Sequence, residues 1–236
     1  YLLIVTSISS VFTKLISSVT ASVGNLIAEN NKKRTFDVFR THYTINFFIV
    51  SVSAGCLLVS LNPFIKFWAG KSYTLALSIV IIIVLNYFFD QLRQSSLTFI
   101  TAYGLFVANG KKSVVEAIMN FAFSFTLLVG FHLGIRGVLL GTILTNLILN
   151  SWWEPLLLFR AGFGFRKKYM RFYLINYWLS NLAILSFIFV GSQFIFYLDT
   201  YIHNSNFLIA LINSILMLIL QLIYFTIFYS RTSGYK

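Results

Sequence analysis

The chain has little of what soluble enzymes and secreted domains are built from. It carries one cysteine, two prolines, three histidines and six acidic residues in 236 positions. A single cysteine, Cys56, rules out an internal disulfide, and inside an apolar run it reads as a small hydrophobe, so redox chemistry is not indicated. Two prolines, Pro63 and Pro155, permit long unbroken helices. The apolar runs show no period-two alternation, which disfavours an outer-membrane barrel. His42, His132 and His203 lie far apart with no Cys or carboxylate at metal-ligand spacing, so no metal site is expected. There is no phosphate-binding GxxxxGK[ST], and Gly162 and Gly164 make only a fragment of a GxGxxG turn. No nucleophile is nominated and six acids allow a paired-carboxylate site only by long-range assembly, so the chain is read as not an enzyme and without a cofactor.

What is present is apolar. Hydrophobic residues make up 58% of the chain and charged ones 10%, with a mean hydropathy of +0.82, too apolar for a water-compatible surface. The net charge of +12 falls in short clusters between apolar runs, which fits membrane topology better than nucleic-acid binding. A bilayer core of roughly 30 Å takes about 20 apolar residues per helix. On that ruler the sequence predicts an all-α polytopic bundle of about seven spans near 2–27, 43–62, 74–98, 113–131, 137–158, 173–195 and 207–229.

One end of the spans collects Lys32, Lys33, Arg34, Arg40, Lys111, Lys112, Arg160, Arg166, Lys167, Lys168, Arg171, Arg231 and Lys236, the other only Lys66, Lys71 and Arg136. The positive-inside rule makes the rich side cytoplasmic, with Tyr1 outside and Lys236 inside. Trp68, Tyr73, Trp152, Trp153, Tyr169 and Tyr173 stand at span ends as interfacial anchors. The chain starts with Tyr1 and lacks a signal peptide's basic n-region, so upstream sequence, an N-terminal half, is expected.

Polar residues inside the spans are the candidate site. Lys14 lies mid-span, where facing lipid costs about 2.5–3.5 kcal/mol. It shares a helical face with Ser7, Ser10, Ser17, Ser18, Ala21 and Asn25. The third span places Asn86, Asp90, Arg93, Gln94, Thr98 and Thr101 on one side, where Asp90 and Arg93, at i and i+3, can neutralise each other. Glu116 and Asn120 in the fourth span, with Thr142, Thr145, Asn146, Asn150 and Glu154 in the fifth, read as hydrogen-bonding glue between helices. Asp199 and His203 read as a solvated outside turn.

Several stretches resemble the C-terminal part of bacterial polysaccharide flippases, the Wzx-like branch of the multidrug/oligosaccharidyl-lipid/polysaccharide exporter superfamily. They are Ser18-Val-Thr-Ala-Ser-Val-Gly-Asn25 with Glu29-Asn-Asn-Lys-Lys-Arg34; Pro63-Phe-Ile-Lys-Phe-Trp-Ala-Gly70 before Tyr73; and Arg93, Ala102-Tyr-Gly104, Lys111 to Glu116, Asn120 and Gly134-Ile-Arg-Gly137-Val-Leu-Leu-Gly141-Thr142. The resemblance covers about residues 1–160. It implies the C-terminal bundle of a two-bundle transporter, moving undecaprenyl-pyrophosphate-linked oligosaccharide across the bacterial cytoplasmic membrane by alternating access, for capsule, O-antigen or exopolysaccharide export. Its partners would then be membrane lipid, that lipid-linked oligosaccharide and other polysaccharide-assembly membrane proteins, with no nucleic acid. A coupling ion, Na⁺ or H⁺, is left open. A pyrophosphate needs cations in a low-dielectric cavity, a role for Lys14 and Arg93. Asp90 would hold Arg93 or couple to an ion, while Asn86, Gln94 and Asn25 would bond sugar hydroxyls. Open alternatives are a drug exporter or peptidoglycan-precursor flippase of the same superfamily, a membrane-embedded glycan polymerase or glycosyltransferase, and a non-transporting scaffold.

Overall fold

The computed structural model describes residues 1–164, 167–200 and 205–232. Among these, secondary structure is entirely helical, and six helices are long and apolar enough to cross a membrane: Leu2–Ala28, Lys32–Trp68, Leu77–Ala102, Phe106–Gly130, Tyr177–Asp199 and Asn206–Ile227. The chain is an all-α, multi-pass membrane protein. In chain order its α-helices are α1 (Leu2–Ser17), α2 (Thr20–Ala28), α3 (Lys32–Trp68), α4 (Leu77–Leu92), α5 (Gln94–Ala102), α6 (Phe106–Phe125), α7 (Ile135–Thr145), α8 (Ser151–Leu157), α9 (Lys167–Asp199) and α10 (Asn206–Thr232).

The expected span at 137–158 is helical too, but it is the polar one. Here α7 and α8 are joined by a π-helical segment, Asn146–Asn150, and followed by another, Leu158–Phe163. Its polar residues Asn146, Asn150 and Glu154 keep it outside the six apolar spans. Two other boundaries differ from those expected. The segment from Pro63 to Trp68, expected in an outside loop, is the last part of α3; the turn comes at Gly70, whose φ of +101° suits a residue without a Cβ. And α6 starts at Phe106, which puts Lys112 inside a helix and not in a loop.

The chain divides into two compact units. One comprises Tyr1, Phe48–Val84 and Leu179–Lys236. Within it, α10 is tied to α3 by amides. Pro63 has no N–H to offer the carbonyl of Val59, one helical turn back, and Asn213 Nδ2 donates to that carbonyl instead, at 3.4 Å. Gln221 Nε2 donates to the Ser51 carbonyl at 2.8 Å, lying against Gly55, where a Cβ would come within 2.9 Å of the Gln221 amide carbon. Asp199 belongs to this unit. It is the last residue of α9 and accepts from Asn213 Nδ2 at 2.9 Å, so it is held between helices and not in a solvated turn. His203 lies outside the described residues.

The other unit comprises Leu2–Phe47 and Leu85–Trp178. Its apolar centre is Val23, Phe39, Phe99, Ile100, Leu158, Phe159 and Phe163, with Phe36 and Tyr103 against it. Phe39 meets Phe99 edge-on at 5.1 Å between centroids, and Phe159 meets Phe163 at 5.5 Å, geometries in which a positive ring edge faces a negative ring face. Lipid is as apolar as these side chains, so close packing holds the helices together. The same logic governs α6 and α7, where Gly137 and Gly141, four residues apart, let the backbones touch: a Cβ on Gly141 would lie 2.6 Å from the Ser124 nitrogen.

Candidate functional site

The Arg93 guanidinium stands at the one-residue break between α4 and α5 and spends its donors on two carboxylates from other helices. Its Nε donates to Glu154 at 3.0 and 3.3 Å, and its Nη1 to Glu116 Oε1 at 2.8 Å and Asn146 Oδ1 at 3.4 Å. Its Nη2 reaches Glu116 Oε2 at 3.4 Å and also bonds Glu154 Oε1. Lys112 closes the ring, with Nζ at 2.7 Å from Glu116 Oε2, one helical turn on, and 2.7 Å from Glu154 Oε1. Two cations and two carboxylates thus alternate around a square of zero net charge. Lys112 and Glu154 side chains are each 1% exposed, Arg93 14% and Glu116 25%.

Asn150 orients the square. Its carbonyl accepts from Lys112 Nζ at 3.1 Å, while its amide nitrogen donates to Glu116 at 2.7 Å and to Asn146 at 2.6 Å. Asn146 and Asn150 bracket the π-helical segment, whose wider turn sets them one above the other on the Glu154 side. Removing four charges from water costs several kcal/mol per ion, and such a cluster persists only with its hydrogen bonds filled. The square joins the α4–α5 break to α6 and α8, and it leaves the Arg93 guanidinium no free edge. The cavity beside it, lined in part by Tyr43, Arg93, Ser96, Asn146, Glu154 and Tyr177, has a volume of about 20 Å³, room for one water.

The residues expected to share a site are therefore divided. Arg93 is not paired with Asp90: Asp90 is exposed and has the Gln91 amide at 3.5 Å, whereas Arg93 points to Glu116 and Glu154, which satisfy both edges of the guanidinium as a single i+3 carboxylate cannot. Asn86 Nδ2 donates to the Leu139 carbonyl on α7 at 2.9 Å, and Gln94 Nε2 to the Asp90 carbonyl at 3.2 Å, so both amide nitrogens are used inside the protein. The readings of Glu116, Asn146, Asn150 and Glu154 as glue between helices match this arrangement, and Asn120 bonds Thr142 at 3.1 Å in the same way. Lys112 is the member that sequence reasoning does not find, because it stands at the edge of an apolar run beside Lys111, the place of an interfacial cation.

Lys14 is different. It is exposed on α1 and makes no ion pair among the described residues, and Ser7, Ser10, Ser17, Ser18, Ala21 and Asn25 are exposed with it. The hydroxyl protons on this face are committed to the helix itself: Ser7 donates to the Leu3 carbonyl at 2.8 Å, Ser10 to Thr6 at 2.8 Å and Ser18 to Leu15 at 2.7 Å. What the face offers outward is oxygen lone pairs and one ammonium.

Among the described residues no group of three or more His, Cys, Asp or Glu is placed to hold a metal. Comparison of the chain with protein-family models, curated proteins and solved structures found no match.

Proposed function

We propose that the chain is the C-terminal bundle of a transporter that moves a lipid-linked oligosaccharide with a pyrophosphate head across the bacterial cytoplasmic membrane, with its basic clusters in the cytoplasm. The observation that carries this reading is the exposed polar face of α1, where Lys14, without an ion pair among the described residues, stands among serines in a helix apolar enough to span. A lone ammonium facing hydrocarbon is costly, so such a face is expected to border water, protein or an anionic headgroup. Its chemistry suits the proposed cargo: Lys14 for phosphate oxygen, and lone pairs on Ser7, Ser10 and Ser18 for sugar hydroxyl donors. The resemblance over residues 1–160 supports the sugar-lipid class; transport would proceed by alternating access, and the coupling ion stays open. Arg93 serves this transporter as an internal strut and not as a phosphate ligand in the conformation described.

Complementation tests this. A bacterium deleted for its capsule or O-antigen flippase should regain surface polysaccharide with the two-bundle parent of this chain and lose it again with Lys14→Ala at equal expression, while Lys14→Arg should retain it. Full activity of Lys14→Ala would remove Lys14 from the transport path. A second reading, a scaffold with no transport path, is favoured by the one-water size of the cavity beside Arg93; it predicts no rescue by any variant in a host with matching sugars.

A further inference from the structure

Two membrane spans are broken at a single turn each, and one helix reaches both breaks. Val19, between α1 and α2, has φ −82° and ψ 0°; Arg93, between α4 and α5, has φ −73° and ψ −14°. A regular α-helix has ψ near −42°, so each break turns main-chain carbonyls away from their helical donors. At membrane depth no water replaces those donors, and protein groups must. On the first span Ser18 and Thr20 hydroxyls take the carbonyls of Leu15 and Ser17, at 2.7 and 2.6 Å.

At the second break Gln94 takes the Asp90 carbonyl, at 3.2 Å, and three further carbonyls across the two breaks are served by α3. His42 Nε2 lies 3.0 Å from the Ile16 carbonyl, and Asn46 Nδ2 donates to the carbonyls of Gln91 and Leu92 at 3.0 and 3.2 Å. His42 and Asn46 are four residues apart, one above the other on the same face of α3. Because Nε2 faces a carbonyl it carries the ring proton, which makes Nδ1 of the neutral ring an acceptor; it sits 3.0 Å from the buried hydroxyl of Ser95, in the first turn of α5. One imidazole thus connects the end of α1 to the start of α5, and the amide one turn away holds the end of α4. Thr13 and the buried Gln91 meet directly at 3.3 Å, linking α1 to α4 beside the same joint.

We propose that His42 and Asn46 are a double pin that couples the two helix breaks, so that the two spans bend and straighten together. Releasing either span strands a carbonyl and loosens the partner on the other. The coupling makes a joint of α1–α2 and α4–α5 regardless of what the protein carries, so it stands apart from the transport reading.

Hydrogen exchange by mass spectrometry on the full protein in phospholipid nanodiscs tests it. Asn46→Leu touches only the α4–α5 break; if the breaks are coupled, exchange rises about tenfold in segments 17–23 and 91–97 alike. His42→Phe should do the same, His42→Gln, which keeps a donor and an acceptor, should recover most of the protection, and Leu61→Ala, a cavity elsewhere in α3, should raise neither segment. If His42→Phe does not fold, Ser95→Ala removes the α5 arm alone and should still loosen 17–23. The proposal is overturned if Asn46→Leu loosens only 91–97, if Ser95→Ala leaves 17–23 unchanged, or if Leu61→Ala loosens both segments as much as the pin variants do.

Discussion

Lys112 and Glu154 meet at 2.7 Å with 1% of each side chain exposed, and each has a second partner of opposite charge: Glu116 bonds Lys112, Arg93 bonds Glu154, and Arg93 closes on Glu116. The consequence is a charge balance that single substitutions upset and a paired substitution restores.

Lys112→Met leaves two carboxylates to one guanidinium, and Glu154→Gln leaves two cations to one carboxylate. Breaking a buried pair this way costs about 3–5 kcal/mol. The double variant keeps the neutral Arg93–Glu116 pair, so thermal unfolding in detergent should place it closer to the parent than Lys112→Met alone. A parent-like melting curve for Lys112→Met would show that the square bears no weight.

The α6–α7 contact depends on Gly141, where a side chain would meet the Ser124 backbone. Gly141→Leu is expected to separate the two helices and lower the unfolding temperature sharply. Gly110, also in α6, has open space where a Cβ would stand, with nothing within 4 Å. Gly110→Ala should therefore be neutral or stabilising by about 0.5–1 kcal/mol, because it removes backbone freedom from a helix.

Accessibility of α1 can be read with thiols. In a Cys56→Ala background, Lys14→Cys and Ser10→Cys should react with a charged, membrane-impermeant methanethiosulfonate, while Leu15→Cys, exposed but about a third of a turn round the helix, should not. Equal protection at positions 14 and 15 would count against a water-lined face and against the transport reading built on it.

In the unit containing α10, Asn213→Leu strips the Val59 carbonyl and the Asp199 carboxylate of a donor, a loss of roughly 1–3 kcal/mol. Pro63→Ala supplies an N–H one turn after Val59. The double variant should therefore recover part of the loss, and no recovery would mean that Asn213 acts through Asp199 alone.

The membrane-spanning, all-helical character was legible in the amino-acid sequence because hydropathy is a local property: a run of about 20 apolar residues closes its own hydrogen bonds wherever it sits. The polar face of α1 was legible for the same reason, since helical periodicity alone places Ser7, Ser10, Lys14 and Ser17 together. Partner choice was not. Asp90 is three residues from Arg93, yet the guanidinium is satisfied by Glu116 and Glu154, which lie 23 and 61 positions away. Lys112 borders an apolar run and reads as interfacial until Glu154, 42 positions on, is brought against it. The breaks at Val19 and Arg93 carry no glycine or proline, and three of their open carbonyls find donors only where α3 brings His42 and Asn46 to them. Which charges are spent inside the protein and which stay exposed was decided by tertiary structure, because a buried ion is stable only beside partners that the fold assembles from distant segments.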